Sequence, residues 1–164
     1  MQRDIIELAI RRGWKVFPYI RQRSPAGQPF LWQATSSEEQ VEKWFPMFGN
    51  RPWAIATGEE FDILPIELFG DSGIQWMVSS FPRNPTEITN LIHTDSRVTL
   101  LFRWPKSRLS ACVDEWITEG VYVPVTRGFV QLGNFDEDKP VSETPCWLLN
   151  LIDPSRQDKR KRVA

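Results

Sequence analysis

Phe61-Asp62-Ile63-Leu64-Pro65-Ile66-Glu67-Leu68-Phe69-Gly70 is a nearly continuous apolar run of strand length, closed by the turn signal Gly70-Asp71-Ser72-Gly73. A run with so little alternation reads as a central strand covered on both faces. A second apolar segment, Trp53-Ala54-Ile55-Ala56-Thr57-Gly58, precedes it and reads as another strand. Two residues break the character of the run, Pro65 and Glu67. A carboxylate near the end of a buried strand is a place where a metal or a substrate can be met. Here the next residue on the same face is Phe69, so a lone acid stands where a metal needs several.

Upstream, residues 3–12 place Ile5, Leu8, Ala9 and the stem of Arg12 on one helical face, with Asp4 as an N-cap or first-turn acid and Gly13 as the stop. Trp14 to Tyr19 predicts a strand, and Pro18 marks an edge or the strand's exit. A polar, basic loop over 20–31 carries Arg21 and Arg23. Ser36-Ser37-Glu38-Glu39-Gln40 contains two overlapping capping boxes and opens a short amphipathic helix with Val41, Trp44, Phe45 and Phe48.

Downstream, Asp71 or Ser72 can cap a helix carrying Ile74, Met77, Val78 and Phe81. Residues 88–92 fit neither period, and 98–104 predict a strand ended by Pro105. Ser107 to Glu119 predicts a helix with Leu109, Cys112, Val113, Trp116 and Ile117 in register and Gly120 as its stop. Residues 121–125 and 129–132 predict two strands around a tight connection. Cys146 to Ile152 is a last apolar element, and Lys159-Arg160-Lys161-Arg162 belongs to a basic, flexible tail. The expected organisation is one domain over 1–152 with a tail over 153–164. Helices and strands are interspersed without a strict βαβ rhythm, which points to an α+β fold.

Composition narrows the chemistry. A chain of 164 residues with 41% hydrophobic residues and 8 Trp has the material for a packed core. Trp44, Trp76 and Trp116 fall in expected helices and are assigned to it. A net charge of −1 gives no global basic field to advertise nucleic acid. The single histidine, His93, leaves little for zinc or a Ser-His-Asp arrangement, and it is expected at a strand end. Cys112 and Cys146 form no CxxC pair and read as buried free thiols in a reducing cytosol. No window approaches a membrane span, so a soluble, cytoplasmic protein without a membrane partner is expected.

Several pieces, taken in order, resemble the N-terminal domain of bifunctional DNA primase/polymerases, the prim-pol domain of plasmids, phages and integrated elements. Ala9-Ile10-Arg11-Arg12-Gly13-Trp14-Lys15-Val16-Phe17-Pro18 is similar to the opening helix and strand of that family. Trp32-Gln33-Ala34-Thr35-Ser36, Trp53-Ala54-Ile55-Ala56-Thr57-Gly58, Phe102-Arg103-Trp104-Pro105 and Gly128-Phe129-Val130 follow in the family's order, together covering roughly residues 5–135. The resemblance implies an archaeo-eukaryotic primase-like fold, with an RNA-recognition-like mixed or antiparallel sheet flanked by helices.

The family's two-metal nucleotidyl transfer rests on an Asp-x-Asp pair, a third acid and a histidine. Laid on this chain, the pair falls on Glu67 and Phe69, the histidine near Thr99, and the third acid near Tyr122 or Thr126. Only Glu67 is a carboxylate. The resemblance therefore implies a degenerate, catalytically inactive domain, a replication-associated module binding nucleic acid (DNA or RNA) or a protein such as a helicase. No cofactor is expected. Arg97, Arg103 and Arg127 lie where the family would present phosphate contacts, and Arg21 and Arg23 could touch a nucleic-acid backbone. One alternative is an active Mg²⁺- or Mn²⁺-dependent primase/polymerase that draws on Asp62, Asp71, Asp95 or Asp114. The other is a protein-interaction domain unrelated to replication, working through an exposed aromatic patch.

Overall fold

The computed structural model describes residues 2–21, 23–84, 89–106 and 115–153. Among them four α-helices are interspersed with nine strands, most of them antiparallel, which makes the protein α+β. The elements are α1 (Gln2–Arg11), β1 (Val16–Pro18), α2 (Glu38–Phe48), β2 (Trp53–Thr57), β3 (Leu64–Phe69), α3 (Gly70–Ser80), β4 (Leu91–His93) and β5 (Arg97–Arg103). They continue with β6 (Glu115–Thr118), β7 (Val121–Val123), β8 (Gly128–Gln131), β9 (Ser142–Glu143) and α4 (Cys146–Ile152). A three-stranded antiparallel sheet has the order β1-β2-β8, and a six-stranded sheet has the order β4-β5-β3-β7-β6 with β9 parallel to β5.

β3 lies at the centre of the large sheet, between β5 and β7, as its apolar run predicts. The strand begins only at Leu64. Glu59–Phe61 is a turn of 3-10 helix, and Asp62 takes a left-handed conformation with φ 55°. Pro65 is tolerated at the centre for a geometric reason. The Phe69 N–H donates to the Gly120 carbonyl on the β7 side, so the ring nitrogen of Pro65, four residues earlier, faces the same way. There the pairing with β7 extends only from Leu68 to Glu67, and no ladder bond is lost.

Alternation along β3 and β5 sorts side chains into two cores. Leu64, Ile66, Leu68, Leu100 and Phe102 pack with Met77 and Phe81 of the α3 region and with Leu148, Leu149 and Ile152 of α4. Leu101, with Ile63 and Ile92, joins the opposite core, built by Ile6, Ala9 and Ile10 of α1, Val41 and Trp44 of α2, and the small sheet. The large sheet is thus covered by helices on one face and by the small sheet over part of the other. Two backbone bridges tie the sheets together, Gly58 to Ile63 and His93 to Asn134.

Several local expectations need correction. The buried face of α1 is Ile6, Ala9 and Ile10 rather than Ile5 and Leu8, a rotation of one residue about the helix. Neither Asp71 nor Ser72 caps α3, which starts directly from β3 at Gly70, and Ile74 and Val78 are exposed. Residues 115–118 form a strand where a helix was expected, and the rest of that expected helix, 107–114, lies outside the described residues. The strands after Gly120 do not pair with each other. β7 joins the large sheet and β8 the small one, so the chain crosses between sheets at residues 124–127. Cys146 is an exposed free thiol, and Cys112 and the basic tail from 154 onward lie outside the described residues. Pro18 does stand in an edge strand, and Ser37 caps α2 by accepting from the Gln40 N–H. No helix among the described residues is long and apolar enough to cross a membrane.

Candidate functional site

Pairing across the large sheet brings the sequence-selected residues into one row. Thr99 of β5 stands opposite Glu67 of β3, and Tyr122 of β7 stands opposite Glu67 on its other side. One step along the same face, Phe69 pairs with Arg97, and beyond Tyr122 stands Trp116 of β6. Directly opposed residues share a face. Thr99, Glu67, Tyr122, Phe69, Arg97 and Trp116 therefore form a continuous patch. Thr126 lies outside it, in the crossing between sheets.

The patch is polar and dry at one end, aromatic and open at the other. Glu67 is only 7% exposed and Thr99 1%. Arg97 Nη1 donates to Glu67 Oε1 at 2.8 Å, and this is the carboxylate's direct ion pair. Burial pushes the Glu67 carboxyl above its usual range, with the Arg97 charge and hydrogen bond pulling the other way. Arg97 Nε and Thr99 Oγ1 are buried without a hydrogen-bond partner. At the open end, the Arg97 guanidinium lies over the Phe69 ring at 5.1 Å, and Trp116 is 60% exposed. Ring centroids stand 5.5 Å apart for Phe69 and Trp116, and 5.2 Å apart for Trp116 and Tyr122.

Tyr19, just past β1, is buried against Phe129 of the small sheet. Its hydroxyl donates to Gln131 Oε1 at 2.8 Å. Burial raises its pKa, while a hydrogen bond with Arg21 and the charges of Arg21 and Arg97 lower it. Arg21, in the turn after β1, and Arg97 of β5 thus both act on one phenol. The loop that carries Arg21 and Arg23 is pinned by buried Gln28, whose amide bonds the Ile20 N–H, the Ile20 carbonyl and the Arg23 carbonyl.

The other arginines named from the sequence stand apart, each against a carboxylate. Arg103 donates through Nε and Nη2 to Asp62 Oδ2 at 2.9 and 2.7 Å, and this bond raises its pKa. Arg127 pairs with Glu60 at 3.0 Å and lies over the rings of Trp32, at 3.9 Å, and Phe61, at 5.2 Å. Of the spare acids, Asp62 is held by Arg103, Asp71 sits in the first turn of α3, and Asp114 lies outside the described residues. Asp95 lines a cleft of about 370 Å³ with His93, Gln131 and Asn134, and His93 ends β4.

A pair of divalent ions of the kind the resemblance implies does not fit these residues. Among the described residues no three His, Cys, Asp or Glu side chains gather into a metal-holding group. A guanidinium already sits 2.8 Å from the Glu67 oxygen that a cation would use. Trp116 is the member of the patch that sequence reasoning missed, because it was placed on the buried face of a helix. The signal was present in Glu115-Trp116-Ile117-Thr118, a β-prone run before the two-residue turn Glu119-Gly120 and the matching run Val121-Tyr122-Val123. Gly120 adopts φ 77°, as such a turn requires. Compared with known proteins, the chain matches no family and no curated protein.

Proposed function

We propose that this chain is a prim-pol-like domain that has lost nucleotidyl transfer and serves replication as a binding module for nucleic acid or for a replication protein. The proposal includes the finer fold assignment, in which the large sheet is the RNA-recognition-like sheet of that family. One observation carries the reading. The residues standing where the family has its acids and histidine (Glu67, Phe69, Thr99 and Tyr122) are neighbours on three adjacent strands, and the surviving acid among them is closed off by Arg97. A carboxylate bonded to a guanidinium, beside two hydroxyls and a phenyl ring, offers no charge to hold a metal–triphosphate complex.

The direct test is incorporation of a labelled nucleotide on primed and unprimed templates with Mg²⁺ or Mn²⁺. None is expected. Incorporation that disappears in Glu67→Ala would restore the enzyme reading. Binding is tested separately, by titrating single- and double-stranded DNA at several salt concentrations. A nucleic-acid module gives affinity that falls linearly on a log–log plot as phosphate contacts release counterions. Absence of binding at low salt would leave a protein partner as the ligand.

A further inference from the structure

The open end of the patch has a chemistry of its own. Phe69, Trp116 and Tyr122 come from three strands of one sheet and present a row of rings on the face that also holds Arg97. Trp116, 60% exposed, leans over a hollow of about 560 Å³ that it shares with Phe69, Gly70, Thr118 and Glu119. An exposed indole flanked by two further rings is unusual on a face with no assigned partner.

Resting on the binding-module reading, we propose that this row is a stacking platform for single-stranded nucleic acid, in which bases lie against Trp116 and Phe69. Two features favour this occupant over a peptide. Rings on neighbouring strands of a sheet offer separate apolar faces, here inclined to each other by 48°, and every base has a π-face to lay on one of them whatever the sequence. Charge is also arranged for a phosphodiester chain. Arg97, whose Nη1 bonds Glu67, borders Phe69 with the rest of its guanidinium. Glu119 lines the hollow, which Arg97 does not, and repels phosphate. The backbone therefore runs along the Arg97 side while the bases point toward Trp116. A duplex keeps its base faces stacked internally and gains nothing from the rings. The substitution of Phe69 for a metal-binding acid is on this view a gain, converting a metal site into a base-contact site.

The test uses a fluorescently labelled oligothymidylate and the full chain, read by anisotropy across a salt series. Each stacked ring contributes on the scale that makes Trp116→Ala about 5- to 150-fold weaker. The slope against salt should not change, since no phosphate contact is removed. Trp116→Phe, which keeps a ring, should restore most of the affinity and serves as the check if Trp116→Ala perturbs the fold. Quenching of intrinsic fluorescence by unlabelled oligonucleotide should shrink in both variants. Wild-type affinity in Trp116→Ala overturns the platform and leaves the binding-module reading standing. A wild-type chain that binds the duplex and the single strand equally also overturns it. No binding by the wild type at any salt overturns the platform together with nucleic acid as the ligand, and assigns the rings to a protein.

Discussion

A glutamate this deeply buried in a central strand has its charged form supported by Arg97 against the burial that raises its pKa. Removing the arginine strands the carboxylate. Arg97→Met is expected to destabilise the fold by about 3 kcal/mol, the low end for a broken buried pair because Arg97 is itself partly exposed. The loss should depend on pH in a defined direction. The folded-state pKa of Glu67 is raised, so its contribution to stability is full below the ordinary value and is lost as pH rises through the folded one. Without Arg97 the rise is larger. Urea midpoints should therefore place Arg97→Met furthest below wild type at neutral pH and closer to it near pH 4.5. A gap independent of pH would mean that Glu67 is not the group left unpaired. Gln28 makes a second residue-scale prediction. Its amide satisfies three backbone groups of the Arg21/Arg23 loop, and Gln28→Leu leaves them unpaired at a cost of about 2–3 kcal/mol. Trypsin should then cut at Arg21 or Arg23 faster than in the wild type. The importance of Gln28 was not legible in the sequence, because its partners are backbone atoms whose positions only the folded loop defines. Glu67, by contrast, stood out as one charge inside an apolar run.

Elements differ in how openly the sequence declares them. β2, β3 and β5 were legible because strands buried on both faces need apolar residues at nearly every position, and the boundaries of β5 fall within one residue of its run. β6 was not legible. Trp116 and Ile117 also satisfy a helical spacing with Leu109, Cys112 and Val113, and periodicity cannot separate the two over four residues. β7 and β8 were legible as strands, but their partners were not, since pairing is decided by which sheet has a free edge. The junction of α3 with the β6–β7 turn shows what local sequence does control. Gly73 packs so close to that turn that a Cβ on it would stand 2.5 Å from the Gly120 carbonyl oxygen. Gly73→Ala should therefore cost about 1–3 kcal/mol by forcing α3 off the sheet. Gly13 also ends an element but has nothing within 4 Å of where its Cβ would be, and only its φ of +77° resists substitution. Gly13→Ala should cost about 1 kcal/mol. Thermal melts of the two variants should separate by a few degrees, at about 2–4 °C per kcal/mol for a chain of this size. Equal melting temperatures would show that the α3 contact yields easily.

At the scale of the whole molecule, two hydrophobic cores share one strand. Leu100 and Leu101 are adjacent on β5 and fully buried, and they face opposite cores, the first with α3 and α4, the second with α1, α2 and the small sheet. Neither core can open while the other keeps β5 in place, because the backbone that positions Leu101 also positions Leu100. The crossing at residues 124–127 and the bridge from His93 to Asn134 add two further ties between the sheets. Unfolding is therefore expected to be a single transition, with tryptophan fluorescence and far-ultraviolet circular dichroism tracing one urea curve. Tryptophans occupy both sides, Trp44 and Trp53 in one core and Trp76 and Trp147 beside the other, so fluorescence samples the two together. Leu100→Ala and Leu101→Ala should each destabilise by about 2–5 kcal/mol, and each should move both probes by the same amount. If Leu101→Ala instead split the curves, the small sheet with α1 and α2 would be a separately melting unit. Glu67 and Thr99 would then sit at a seam that opens on its own, and access to the ring-lined patch would be gated by the small sheet rather than fixed by the fold.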